Sequence, residues 1–278
     1  MASIAAFAVN EALGGEINSA LGDFGTVSVF GRVVDLLSRV EESEVSAVVL
    51  TATRDADGGT AFEAAAVLRE RHPQLWIILY HGSWGPDHEA VVRIASVPSR
   101  VVWVGRGLIA LRTVVAKALT TPLERRAALE TELLFATYAP RRVREFLAVC
   151  TANTHHKLLP RDAEAALGIQ GRTLRGRLRR AGWPPPRYVI AWCRLLHAMF
   201  LLDVLGRPAK QVASLLGWGS AADLNASIKR HVKLPSGMVL ERGGYPYLLD
   251  AFDHLLRAHG ARRRWHPLRE ASDMGWAD

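Results

Sequence analysis

The first 120 residues alternate short apolar runs with longer segments in which apolar residues recur at helical spacing. The apolar runs, which predict β-strands, are at 3–9, 26–30, 45–51, 75–80 and 100–104. The helical segments are at 11–21, 32–42, 60–71, 86–95 and 108–119, and the third of them begins with a capping box from Thr60 to Glu63. This alternation predicts an α/β domain with a five-stranded parallel sheet that is covered by helices on both faces.

Residues 140–236 contain one pattern twice: a short helix, a glycine and a second helix. The first copy comprises 161–167, Gly168 and 172–180, and the second comprises 209–216, Gly217 and 220–231. Glycine readily adopts the left-handed conformation that ends a helix, so each copy predicts a helix-turn-helix unit. A long helix at 188–205 joins the two units.

The chain is therefore predicted to have four parts. Residues 1–120 form the α/β domain, 121–139 a helical linker, 140–236 the helical domain and 237–278 a C-terminal extension. The extension contains a predicted helix at 245–259 and then three consecutive arginines, 262–264. This basic run either contacts a DNA backbone or a minor groove, or is the solvated end of a docked helix.

Charge is distributed unevenly along the chain. Residues 1–120 carry ten Lys/Arg and thirteen Asp/Glu, a net −3, whereas residues 121–278 carry twenty-five and fourteen, a net +11. A basic half of this kind indicates a polyanionic partner. The sequence has no apolar run near the length of a membrane helix and no secretory signal at its start, and two cysteines, Cys150 and Cys193, cannot form a disulfide framework. These features predict a cytoplasmic protein.

The strongest chemical signal is the helix at 172–180. Arg172, Arg175 and Arg179 recur at spacings of three and four and so share one face, while Leu174 and Leu178 lie on the opposite face. Guanidinium groups bind guanine or phosphate in a bidentate manner. The pattern predicts a helix that packs on the core through its leucines and presents its arginines to nucleic acid; the alternative is a solvated basic face. The same helix also carries Thr173, Arg177 and Arg180.

An ordered set of residues across the helical domain resembles the DNA-binding domain of the AraC/XylS family. In the first unit and the joining helix the set is 165–168, Leu174, Gly182, Tyr188, Arg194, Ala198 and Leu202. In the second unit it is Val212, Ala213, Gly217, Trp218, Ser220, Leu224, Ile228, Lys229, Leu234 and Pro235. The resemblance implies a bacterial transcriptional regulator whose two second helices enter adjacent major grooves of double-stranded DNA.

Two departures from the family pattern suggest different roles in DNA binding for the two units. Gly176 and Ala226 stand where the family usually has arginine, and Asp223 would repel phosphate. We therefore expect base reading mainly in the first unit and backbone contact in the second. The second-unit candidates are Ser220, Asn225 (which matches adenine), Lys229 and Arg230. The alternative is a degenerate domain that serves as a protein-interaction adaptor.

The α/β domain resembles the receiver domain of response regulators in size and element order. Thr51 falls where that family has its phosphoacceptor aspartate, so no phosphoacceptor is predicted. Asn10 and Glu11 fall at the acidic pair that holds magnesium, Gly105 or Arg106 at the conserved lysine, and Tyr80 or His81 at the Ser/Thr position. The resemblance implies a pseudo-receiver that serves as a dimerisation or protein-contact surface, with a small ligand at the strand ends left open. Asp55 and Asp57 are predicted to be solvated turn residues, the alternative being a displaced acceptor.

No enzymatic constellation is found, and we expect no cofactor and no metal. His155-His156 beside Cys150 lacks the second ligand pair of a zinc site. The expected partner is double-stranded DNA. A second copy of the chain, bound through the receiver-like domain, and RNA polymerase are further candidate partners.

Overall fold

A computed structural model of the chain describes residues 2–51, 53–72, 75–80, 101–104, 107–136 and 139–259. The chain divides into two compact units, the first ending at Pro122 and the second beginning at Leu123. None of the helices in these ranges is both long enough and apolar enough to cross a bilayer.

The first unit is built on the predicted parallel sheet. Its strands are β1 (Ala2–Phe7), β2 (Gly25–Phe30), β3 (Ala47–Thr51), β4 (Trp76–Tyr80) and β5 (Val101–Val104). They lie in the order β2-β1-β3-β4-β5, and every neighbouring pair is parallel. This is the doubly wound order of flavodoxin-like folds, in which the chain reverses its direction of travel between β1 and β3. The receiver-like topology predicted for this unit is therefore present.

Four described helices cover the two faces of this sheet. They are α1 (Glu11–Leu21), α2 (Val33–Glu42), α3 (Ala61–Arg71) and α4 (Leu108–Thr120). On one face, alternate residues of β1, β3 and β4 pack against α2 and α3 in a single apolar cluster. On the other face lie α1 and α4, which contact each other. The capping box at the start of α3 is confirmed, and the predicted helix at 86–95 lies outside the described residues.

The second unit is all-helical. Its helices are α5 (Arg126–Ala136), α6 (Arg141–Ala152), α7 (Pro160–Ala166), α8 (Gly171–Arg180), α9 (Pro186–Met199), α10 (Ala209–Leu215), α11 (Ala221–Val232), α12 (Ser236–Glu241) and α13 (Gly244–Ala258). The long predicted helix begins earlier than expected, at Pro186, because proline is well suited to the first position of a helix. It continues beyond Met199 as a π-helical turn, Phe200–Val204. The short helix α12 was not predicted, since six residues leave little periodicity to detect.

Helix α9 is the central element of this unit. Most of its side chains are buried, and they contact α5, α6 and α13. Trp192 stacks on Phe252 of α13 with ring centroids 5.3 Å apart, and Phe252 meets Phe135 of α5 edge-on at 4.8 Å. The segment predicted as a linker and the C-terminal extension thus both contribute to the core of this unit. Cys150 and Cys193 are free and buried in it, and burial raises the pKa of the Cys150 thiol.

The two helix–glycine–helix segments end their first helices in the same way. Gly168 and Gly217 have φ angles of +60° and +70°. In each case the amide of the following residue donates to a carbonyl one turn back, Ile169 to Glu164 at 3.1 Å and Trp218 to Ala213 at 2.8 Å. This arrangement is a Schellman motif, and it directs the second helix of each pair away at a fixed angle.

Arg194 of α9 holds the second of these turns in place. Its Nε donates to the carbonyl of Leu216 at 2.9 Å, and its guanidinium lies 3.8 Å from the centroid of the Trp218 ring. Burial lowers the pKa of Arg194. This arginine therefore has a structural role, because both its hydrogen bonds and its stacking face are used within the unit.

Replacing a glycine by alanine should have opposite effects on the free energy of unfolding at a turn and inside helix α8. Gly217 needs a left-handed backbone, so Gly217→Ala should destabilise the second unit by about 1–2 kcal/mol. Gly176 lies inside α8 with no atom near an added Cβ, so Gly176→Ala should stabilise the unit by about 0.5–1 kcal/mol. Urea unfolding followed by circular dichroism measures both. Equal effects of the two variants would contradict this account of the turn.

Candidate nucleic-acid interface

Helix α8 is held on the core by two leucines. Leu174 and Leu178 are each 1% exposed, whereas Arg172, Arg175 and Arg179 are exposed. Among the described residues, none of these three guanidiniums has a hydrogen-bond or ion-pair partner. Packing of the leucines forces the arginines outward, so the predicted orientation of α8 is present.

Three arginines at the surface of the first unit have carboxylate partners. Arg32 pairs with Asp57 at 2.7 Å, Arg112 with Asp23 at 2.5 Å, and Arg71 with Glu41. Each of these pairs neutralises its own charge at the surface. The arginine face of α8 lacks such carboxylates, and it therefore presents uncompensated positive charge to the solvent.

A groove runs along this arginine face. It has a volume of about 720 Å³ and contains the three unpaired arginines on one side. Trp183 and Pro185, from the turn after α8, and His259, after α13, also line it. The groove thus combines guanidinium donors with a tryptophan, a proline and a histidine, and three separate parts of the chain contribute to it. We name this set of residues the arginine groove.

The other predicted residues of α8 occupy different positions. Thr173 is exposed beside Arg172. Arg180 folds back, so that its Nε donates to the carbonyl of Gly176 at 3.3 Å. Arg177 is half-buried, and its Nε has no hydrogen-bond partner within the described residues. Neither Arg177 nor Arg180 lines the arginine groove.

In α11 two of the predicted contact residues are engaged within the protein. Ser220 is the N-cap, with its hydroxyl oxygen accepting from the amide of Asp223 at 3.1 Å. The Oδ1 of Asn225 accepts from the amide of Ser236 at 2.9 Å, which ties α11 to α12. Bidentate adenine recognition needs both the oxygen and the nitrogen of the amide. The hydrogen bond to Ser236 therefore gives Asn225 a structural function.

The basic end of α11 is open. Lys229 and Arg230 are exposed, and the helix ends at Lys233 in the left-handed conformation, with φ +67°. Lys233 Nζ donates to the carbonyl of Arg230 at 2.9 Å. Positive side chains here also complement the negative end of the helix dipole.

A basic and aromatic cluster that the sequence analysis missed lies between the two helix pairs. Arg187 and Tyr188 are exposed in the first turn of α9, and the Arg187 guanidinium lies 4.9 Å from the Tyr188 ring. Tyr188 meets His231 of α11 edge-on at 6.4 Å. The cluster follows Pro185 of the arginine groove directly. The available sequence signal was a basic and an aromatic residue side by side after a run of prolines.

Two polar side chains at the strand ends of the first unit make hydrogen bonds within the protein. Thr51 is buried, and its hydroxyl donates to the carbonyl of Phe7 at 2.8 Å. The side-chain oxygen of Asn10 caps α1 by accepting from the amides of Ala12 and Leu13. Glu11 is exposed in the first turn of α1.

Tyr80 is the last residue of β4. It is buried, and this burial raises the pKa of its phenol, with a further contribution from the carboxylate of Glu16. The candidate positions Gly105, Arg106 and His81 lie outside the described residues.

Asp55 is not the solvated turn residue that was predicted. It is 7% exposed, and its carboxylate accepts from the amides of Val33 at 2.8 Å, Gly59 at 2.7 Å and Asp57 at 3.0 Å. These hydrogen bonds lower the pKa of Asp55, and the bond from Val33 contributes most. The carboxylate joins the loop after β3 to the start of α2, an interaction 22 residues apart that local turn rules do not reveal.

His155 and His156 pack edge-to-face at 4.5 Å. Across the described ranges, no three His, Cys, Asp or Glu side chains are grouped so that they could bind a metal ion.

Comparison with known proteins gives one weak structural likeness. No protein-family model and no curated protein matches the sequence. Among solved structures, full-length FixJ from B. japonicum is similar, with 13% sequence identity and a TM-score of 0.37. The alignment covers 84% of this chain and 98% of the FixJ chain. The AraC/XylS resemblance stays a prediction, and the likeness to FixJ does not assign a function.

The role of Asp55 predicts a specific acid response. Because its pKa is lowered in the folded state, its stabilising contribution is present at neutral pH and is lost as the pH falls through that lowered pKa. Asp55→Asn should destabilise the first unit at pH 7, and the difference from the parent chain should shrink below about pH 4. Asp57→Asn removes an exposed ion pair and should change stability by at most about 1 kcal/mol. Thermal unfolding from pH 3 to 7 tests this prediction. A difference in unfolding temperature between Asp55→Asn and the parent chain that does not change with pH would contradict it.

An acyl phosphate forms on a carboxylate, and Thr51 has a buried hydroxyl instead. We therefore predict that this position does not take up a phosphoryl group from a small donor. Incubation with acetyl phosphate and Mg²⁺ should leave the intact mass unchanged. Addition of a phosphoryl group that is labile to hydroxylamine would show that another carboxylate is the acceptor.

Proposed function

We propose that this chain is a non-enzymatic, DNA-binding transcriptional regulator of the cytoplasm. The observation that carries the proposal is the exposed, unpaired row of Arg172, Arg175 and Arg179 on a helix held by buried Leu174 and Leu178. A row of uncompensated guanidiniums on a rigid helix favours a partner with a regular array of acceptors and negative charge. Double-stranded DNA has both.

Helix α8 is suited to be the reading helix. Its ten residues span about 15 Å, and the major groove is about 12 Å wide. In this proposal α7 and α8 form the first helix-turn-helix unit, and the arginine groove faces the base edges. Arg172 and Arg175, near the helix N-terminus, contact guanines, because recognition helices use their N-terminal residues for base contacts.

The second pair, α10 and α11, is proposed to be a second helix-turn-helix unit that contacts the DNA backbone. Lys229 and Arg230 are exposed at the end of α11. Its outer face carries Ala222, Asp223 and Ala226, which offer little for base reading. Backbone contacts fix register without reading sequence, so the second unit would position the first.

The first unit is proposed to be a pseudo-receiver that binds protein rather than phosphate. Thr51 and Asn10 are engaged in internal hydrogen bonds at the positions where a receiver holds its acceptor and magnesium. We propose that this unit supports homodimerisation, and that RNA polymerase is a further partner.

A protein-interaction adaptor is the second candidate function. It is favoured by the outer face of α11, where alanines and Asp223 are exposed and Asn225 is tied to Ser236. Binding to genomic DNA fragments at several salt concentrations separates the two. A regulator binds with a steep salt dependence and prefers particular fragments, whereas an adaptor does neither.

The two helix pairs should respond differently to loss of charge. Arg172→Ala and Arg175→Ala should each cost about 1–3 kcal/mol of binding free energy on the preferred site and relax its sequence preference. Lys229→Ala should weaken binding to all sequences alike and reduce the salt slope by about 1. Arg207→Ala removes one exposed charge from the same unit outside both pairs, and it is the matched control.

Quantitative gel shift against preferred and shuffled duplexes measures these changes. If the α8 variants bind both duplexes as the parent chain does, α8 is not the reading helix.

A further inference from the structure

Helices α9 and α11 meet at a small group of basic and aromatic side chains on the surface of the second unit. The Tyr188 ring lies between the other two members of the group. Its centroid is 4.9 Å from the guanidinium of Arg187 and 6.4 Å from the ring of His231. Arg187 and Tyr188 are exposed, and His231 is partly exposed. We name these three residues the α9–α11 cluster.

Neither basic member of the cluster has a carboxylate partner. Arg187 donates to the Tyr188 hydroxyl at 3.4 Å, and within the described residues neither Arg187 nor His231 forms an ion pair. Arg187 lies two residues beyond Pro185 of the arginine groove, and His231 directly follows the exposed basic residues of α11. The cluster therefore extends the basic surface from the first helix pair toward the second.

The hydrogen bond of His231 determines what its ring can offer a ligand. Nδ1 lies 2.9 Å from the carbonyl oxygen of Ser227, one turn back in α11. A carbonyl oxygen can only accept, so Nδ1 carries the proton in the neutral ring. Nε2 then has a lone pair and nothing to donate, and it has no partner in the described part of the chain. Protonation gives Nε2 an N–H group and a positive charge, and a phosphate oxygen binds both.

The ring of His231 has aromatic neighbours and no paired carboxylate. Tyr188 and Trp192 of α9 each meet it edge-on at 6.4 Å. Helices α9, α10 and α12 contact α11, and the charged or titratable residues of these four helices are Arg187, Tyr188, Cys193, Arg194, His197, Lys210, Asp223, Lys229, Arg230 and Glu241. Neither Asp223 nor Glu241 forms an ion pair with His231. A positive charge on this ring is therefore left for a ligand to neutralise.

We propose that the α9–α11 cluster binds a DNA phosphate between the sites contacted by the two helix pairs, and that protonation of His231 strengthens this contact. The inference rests on the proposed function. Arginine and tyrosine are common ligands of DNA phosphates, and phosphate contacts carry no base preference. The cluster therefore adds affinity on every sequence. Because histidine changes its charge between about pH 5 and 8, DNA binding is tighter at pH 6 than at pH 8.

The phosphate contact is tested with Arg187→Gln in the full-length chain. Loss of one contact should reduce the slope of log binding constant against log salt by about 1. It should weaken binding to preferred and shuffled duplexes alike, by about twofold to fivefold. Ethylation interference should lose its signal at a phosphate between the two contacted grooves. An unchanged slope, or a loss confined to the preferred duplex, overturns the contact.

The matched control is His254→Gln, which removes an exposed histidine of α13 outside the cluster. Its salt slope and its ratio of affinities at pH 6 and pH 8 should equal those of the parent chain. Thermal unfolding of each variant shows that the second unit is folded under the binding conditions.

The contribution of His231 is tested by its charge. Because His259 also lines the arginine groove, the measured quantity is the difference in pH dependence between the parent chain and His231→Gln. The ratio of affinities at pH 6 and pH 8 should be about twofold to fivefold larger in the parent chain. His231→Lys is positive at both pH values and should bind more tightly at pH 8 than the parent chain does. A purely structural role of the ring does not predict that gain.

The outcomes separate this inference from the proposed function. If His231→Gln keeps the pH dependence of the parent chain, or if His231→Lys binds at pH 8 no better than His231→Gln, the protonation step is overturned. If the parent chain shows no salt-dependent DNA binding, the proposed function fails and the inference fails with it. If the parent chain binds DNA and the Arg187 and His231 variants bind as it does, only the inference fails.

Discussion

The burial of Leu174 and Leu178 is the interaction on which the functional surface depends. These two side chains, one helical turn apart, fix the rotation of α8 about its axis, so that its arginines at 172, 175 and 179 must face solvent. Neighbouring guanidiniums repel one another, and no carboxylate of the described chain relieves that repulsion as Asp57 does for Arg32. The free energy gained by burying the two leucines therefore offsets the repulsion between the arginines. A bound polyanion would reduce that repulsion further.

The remaining helices make that surface rigid and extend it. Arg194 and the left-handed glycines set the directions of α8 and α11, and the stacking of Trp192 on Phe252 connects α9 to the C-terminal helix. As a result, parts of the chain that are distant in sequence meet beside the arginine groove: α8, the turn before α9 and the end of α13. An interface assembled in this way can hold its donors in place before a ligand arrives, which lowers the entropy lost on binding.

The first unit keeps a receiver-like fold while its polar groups serve structure. The Thr51 hydroxyl bonds to the Phe7 carbonyl of the neighbouring strand, Asn10 caps α1, and Asp55 fastens the loop after β3 to α2. Each of these groups sits at a strand end, where a phosphotransfer site would need free oxygens for a metal ion. Their oxygens are instead used in hydrogen bonds that stabilise the fold.

Local periodicity in the sequence was enough to predict the features that depend on a few neighbouring residues. The parallel sheet, the capping box at Thr60 and the orientation of α8 were all predicted, because alternation, capping and helical spacing are encoded within a few residues. Features that depend on residues distant in the chain emerged only from the packed fold. Asp55 is buried and accepts a hydrogen bond from an amide 22 residues away. Asn225 accepts one from Ser236, and His259 lines the arginine groove. The physical reason is that a hydrogen bond or a shared groove between remote segments forms only when the core has packed, and no local pattern records which partner that packing supplies.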